Sequence, residues 1–126
     1  MKPPRSLKIT ELEVGTGREC VPGDTALVYY EIKRPKGDVL SSSNEKRPSE
    51  IDVGRRDYSV GIEYGLLGMR VGGRRSIVVP PHLMGYLPRL YDLPAGAMVV
   101  IELHLIDLPE KWDPDMESRL ARQPKQ

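Results

Sequence analysis

The sequence predicts an α+β domain in which an antiparallel sheet curls over one short helix. Three observations lead there. Twelve glycines and twelve prolines cut the 126 residues into short pieces, which favours strands with tight connections over long helices. Segments 25–33 and 97–108 alternate apolar and polar residues with the period of a half-buried strand. One internal segment, through Ile62, Leu66 and Met69, repeats apolar residues at helical spacing.

In chain order, residues 7–12 are the first strand candidate. The turn Val21-Pro22-Gly23-Asp24 then starts a strand whose Ala26, Val28, Tyr30 and Ile32 share the face expected in the core. Residues 41–48, SSSNEKRP, are polar and unpatterned and read as a loop or a bulge in an edge strand, and 50–53 form another strand candidate. The helix is expected to close at Val71-Gly72. Gly72-Gly73 launches the strand 74–79, which Pro80-Pro81 ends because neither proline donates a ladder hydrogen bond. In 97–108, Val99, Ile101, Leu103 and Leu105 fall on one face, with Glu102 and His104 on the other. After Leu108, Asp113-Pro114 offers a cap and first position for a short helix, with Leu120 its only aliphatic follower, so a frayed tail is expected. The chain divides into an extension (1–6), one domain (7–108) and a tail (109–126).

Charge and composition narrow the partners. Nineteen Lys and Arg against eighteen Asp and Glu leave a formal net charge of +1, so no global field recruits nucleic acid or an anionic membrane. The basic clusters Arg55-Arg56, Arg74-Arg75 and Lys33-Arg34 with Lys36 read as a solvated rim balanced by carboxylates elsewhere. No apolar run is long enough to cross a bilayer, and MKPPRSLKIT lacks the apolar stretch of a secretion signal. The single cysteine, Cys20, excludes an internal disulfide and suits a reducing compartment. A cytoplasmic protein is expected.

The usual catalytic groups are missing. Of the two histidines, His104 lies on the expected solvent face of a strand, and His82 follows a Pro-Pro stop where it can cap a short turn. Cys20 has no adjacent cationic pattern and reads as a small buried hydrophobe. No metal-ligand spacing joins these three residues. Five glycines lie between Gly61 and Gly73, yet no Lys-Ser or Lys-Thr follows and the glycines do not precede a helix as a phosphate cradle requires.

Residues 58–75, YSVGIEYGLLGMRVGGRR, resemble the helix and following turn of the FKBP-type peptidyl-prolyl cis/trans isomerases. The likeness extends through Ser76 to Pro80-Pro81-His82-Leu83, Val21-Pro22-Gly23-Asp24, the hairpin 37–42 and Leu93-Pro94-Ala95-Gly96-Ala97, and so spans residues 7–108. It implies a sheet of five or six strands over one helix, and an isomerase that acts on proline-containing polypeptides, assists folding and uses no cofactor or metal. It implies no nucleic acid or membrane partner, and a monomer. By the same resemblance Tyr30, Leu40 and Tyr86 are the catalytic positions, and Val39, Ser49, Tyr58, Ser59, Ile62 and Ile101 bind substrate.

Most of these positions depart from the family pattern. Val39, Ser49, Ile62 and Ile101 stand where the family has aromatic residues, and Leu40 where it has an aspartate. Ser59 would bond substrate through its main-chain N–H, a role independent of the side chain. Tyr86 matches the flap tyrosine if Met84 is a one-residue insertion; otherwise Gly85 falls on that position. The chain has no phenylalanine, and its one tryptophan, Trp112, lies in the tail. The sequence therefore leaves two functions open, an isomerase with an aliphatic pocket and a non-catalytic protein-binding module of the same fold.

Overall fold

A computed structural model describes residues 1–43, 47–56, 59–85 and 87–122. Six strands build one antiparallel sheet: β1 Lys8–Glu13, β2 Asp24–Lys33, β3 Val39–Ser42, β4 Ser49–Asp52, β5 Arg74–Val79 and β6 Val99–Lys111. They lie in the order β1, β5, β6, β2, β3, with β4 also on β2. Thr25 to Val28 of β2 pair with β4, while Glu31 to Lys33 pair with β3. Two short strands thus share one edge of a long one.

The period-two pattern decides which face is buried. Ala26, Val28, Ile32, Val99, Ile101 and Leu105 have no exposed area. One transverse row is all isoleucine: Ile32 faces Ile101, Ile101 faces Ile77, and Ile77 faces Ile9. β-branched side chains suit this pleated surface, since their stiff χ1 loses little freedom on packing.

The helix α1, Val60–Leu66, lies against this face. Its glycines set how close it comes. A Cβ on Gly65 would lie 2.7 Å from Ile77 Cδ1, and one on Gly61 would lie 2.6 Å from Val79 Cγ1. The i, i+4 spacing puts both on one side of the helix, so its backbone rests directly on β5.

The helix ends at Leu66, before the expected Val71-Gly72 stop. Gly68 takes a positive φ of 82°, which reverses the chain, and the backbone beyond it bonds elsewhere. Gly68 N–H donates to the Cys20 carbonyl (3.0 Å), Cys20 N–H to Met69 (2.7 Å), and Val71 N–H to Arg18 (3.1 Å). Residues 68–71 therefore pair with 18–20 rather than continue the helix. Arg75 takes over the helix end, donating to the carbonyls of Gly65 (2.8 Å) and Leu67 (2.7 Å) while its Nε bonds Glu11 Oε1 (2.5 Å).

β6 does not stop at Leu108. It continues through Pro109 to Lys111, pairing Glu110 with Thr25 and Lys111 with Asp24. The segment expected to fray is tied back: Asp113 N–H donates to the Gly23 carbonyl (3.3 Å), Trp112 Nε1–H to the Val53 carbonyl (3.0 Å), and α3 spans Met116–Arg122.

Candidate functional site

Of the expected site positions, Ile62 and Ile101 belong to the buried core, with Tyr30 and Leu40 packed against it. Ile62 on α1 and Ile101 on β6 have no exposed area. Tyr30 on β2 and Leu40 on β3 are partly buried and pack against the same core. Tyr30 is fixed through its backbone, with its N–H donating to Ser43 Oγ (2.7 Å) and its carbonyl accepting from Ser43 N–H (2.8 Å). Ser49 faces Val28 across the β2–β4 ladder, so it shares the core face but lies further along β2. Val39 stands apart, 54% exposed at the start of β3. Tyr58 and Tyr86 lie outside the described residues.

Ser59 is the N-cap of α1, almost completely buried. Its hydroxyl makes no cap bond and donates instead to the Leu83 carbonyl (3.2 Å). That bond ties the helix start to the flap. The flap follows from sequence: Pro80-Pro81 ends β5, a single 3-10 turn spans Pro81–Leu83, and α2 is Leu87–Leu90. Leu83, Met84 and Leu87 turn inward and are buried. Sequence reasoning did not name these three as part of the wall.

It also missed Glu63. This carboxylate is fully buried on α1, and its Oε1 accepts from the backbone N–H of Gly54 and of Arg56, each at 2.9 Å. Buried charge is tolerated only where hydrogen bonds replace water. Here they fix the loop between β4 and α1, immediately upstream of Ser59. A signal was present: Glu63 is the only charged residue from Ser59 to Met69.

The two histidines lie outside the core that holds Ile62 and Ile101. His104 sits on the opposite face of the sheet, with its ring 6.0 Å from Tyr29 at a tilt of 59°. It lines a groove of about 350 Å³ with Leu12, Tyr30, Arg74 and Glu102. Burial, and then Arg74, push its pKa below 6.5. His82, in the 3-10 turn, lies 3.2 Å through Nε2 from Ser6 Oγ. Cys20 is buried, and desolvation pushes its thiol up to about 12, so it stays protonated and inert. The basic rim is balanced locally: Arg34 pairs with Asp38, Arg55 with Asp52, Arg74 with Glu13, Arg75 with Glu11, and Lys33 with Glu31 and Glu102. Among the described residues no group of three His, Cys, Asp or Glu side chains is placed to hold a metal ion, and no helix is long and apolar enough to cross a membrane.

An antiparallel sheet packed on a short helix, with a proline-bounded turn bonded to the helix start, defines a class of α+β fold. Comparison with known proteins makes the class specific. The family model for the FKBP-type peptidyl-prolyl cis-trans isomerase matches residues 16–106. FK506-binding protein 4 of Chaetomium thermophilum is 31% identical over 104 residues, covering 82% of this chain and 22% of that protein. The chloroplastic peptidyl-prolyl cis-trans isomerase FKBP16-4 of Arabidopsis thaliana is 30% identical over 116 residues, covering 85% of this chain and 50% of the relative. The crystal structure of AtFKBP13 superposes with a TM-score of 0.71 at 25% identity, covering 85% of this chain and 96% of that one. The chain belongs to the FKBP-type peptidyl-prolyl cis-trans isomerase family. It spans from about a fifth to half the length of these two curated relatives.

Proposed function

We propose that this chain isomerises X–Pro peptide bonds in polypeptides and so assists their folding, using an aliphatic cleft in place of an aromatic one. The observation that carries the reading is the family match itself, because residues 16–106 include every described site position. The chemistry suits a site without acid or base. Rotation about the bond before proline is slow because it breaks amide resonance, at a barrier of about 18–20 kcal/mol. An apolar wall desolvates the amide and favours its twisted, less dipolar form. Tyr30 and Leu40 border the proline, Ile62 and Ile101 lie beneath it, and Ser59 N–H bonds the neighbouring backbone.

In an isomerisation assay on a proline tetrapeptide, the wild-type chain is expected to accelerate the reaction over buffer. Tyr30→Ala and Ile62→Ala should each lower kcat/KM by about tenfold, the effect of losing about 1.4 kcal/mol of transition-state contact. A wild-type rate equal to that of buffer would sink the reading.

The second reading is a binding module with a closed pocket. What favours it is the complete burial of Ile62 and Ile101. It expects peptide-induced shifts in the site's NMR resonances without any acceleration, and it falls if both alanine variants lose a measurable activity.

A further inference from the structure

The C-terminal segment reaches the loop that leads into the site. We propose that Trp112 is a positioning residue: its indole holds loop 53–56 so that the main chain three residues beyond Arg56, at Ser59, is presented correctly to a bound peptide. The proposal rests on the role given above to the Ser59 N–H.

The loop is held from two sides. From the helix side, Glu63 Oε1 accepts the amides of Gly54 and Arg56. On the other side, the Val53 carbonyl accepts Gly23 N–H (2.9 Å) from the turn before β2 and Trp112 Nε1–H (3.0 Å) from the tail. The Arg55 guanidinium lies 5.9 Å from the indole ring, within the range of a cation–π contact. Val53 N–H also donates to the Asp24 carbonyl (2.9 Å), so the indole adds a second donor to a carbonyl that Gly23 already holds.

The seat for the tail is built from two glycines. A Cβ on Gly23 would collide with the Asp113 carbonyl, and one on Gly54 would lie 2.6 Å from the Met116 sulfur. Only residues without side chains let segment 113–116 lie this close. Arg119 pairs with Asp113 within the tail, joining α3 to the residue whose N–H bonds Gly23. Two separate loops thus lack a side chain where the tail crosses them, and between them Trp112 reaches the strand end that feeds Ser59.

The test uses the full chain, a proline tetrapeptide, and NMR observation of the Ser59 amide. Trp112→Ala is expected to lower kcat/KM about tenfold, chiefly through a raised KM, and to shift the Ser59 amide resonance. Trp112→Phe keeps the ring and loses the N–H, so it should fall between the two and remains informative if the alanine variant does not fold. Ile9→Ala, at the far edge of the sheet, is the control for a general loss of stability and should leave the Ser59 resonance and KM unchanged. An unmoved Ser59 resonance in the folded Trp112 variants would overturn the proposal, as would equal changes in Ile9→Ala. If the wild type does not accelerate isomerisation, the isomerase reading falls, while the Ser59 resonance and peptide-induced shifts still decide the part played by Trp112.

Discussion

Asp24 shows how one carboxylate can join three parts of a small sheet. Its side chain has no exposed area, yet it accepts from both guanidinium nitrogens of Arg18 (2.9 and 3.1 Å), from Lys111 Nζ (3.1 Å) and from Val21 N–H (2.9 Å). Burial alone would raise its pKa; the bonds from Arg18, Val21 and Lys111 outweigh that and hold it below the ordinary 3.8. A carboxyl whose folded pKa lies below its unfolded one stabilises the fold fully above the unfolded value, and that stabilisation is lost as pH falls through the folded value. The urea midpoint should therefore be level above about pH 5 and drop below about pH 4. Asp24→Asn should cost about 2 kcal/mol near neutrality and flatten the acid limb, because the cations then lack a charged acceptor. An unchanged acid limb in the variant would assign the transition to other carboxylates.

The contact between α1 and β5 depends on missing side chains rather than on large ones. Gly61→Ala gains up to about 1 kcal/mol of helix propensity but forces a methyl against Val79 and the Leu83 carbonyl, which costs about 1–3 kcal/mol. The net change in urea unfolding should be destabilising; a stabilised variant would mean that the helix can lift off the sheet at no cost. Alternation made β2 and β6 legible from sequence, since Val28 and Ile101 could face only the core. Pro80-Pro81 likewise fixed the end of β5. The end of α1 was not legible, because it depends on residues 68–71 pairing with 18–20, distant in sequence. Glu63 was passed over for a related reason: its partners, the amides of Gly54 and Arg56, are backbone groups that no side-chain pattern reveals. The site was legible only through family likeness, since aliphatic side chains in a cleft look the same in sequence as aliphatic side chains in a core.

At the scale of the molecule, neither histidine lies in the core that holds Ile62 and Ile101. His104 is on the opposite face of the sheet and His82 is exposed in a turn. If catalysis is by shape, kcat/KM for a proline peptide should stay constant within about twofold between about pH 6 and pH 8. A bell-shaped profile over that range would require an acid or base in the reaction and would reject the mechanism. The position of β6 has a further consequence, for how the protein is made. The last strand among the described residues is the middle of the sheet, with β2 on one side and β5 on the other. A nascent chain that has not yet released residues 99–111 holds β2 and β5 with nothing between them. Such non-local topology folds slowly. The sheet closes from its centre only after synthesis has passed Lys111, so a domain proposed to hasten the folding of others cannot complete its own sheet until that residue has left the ribosome.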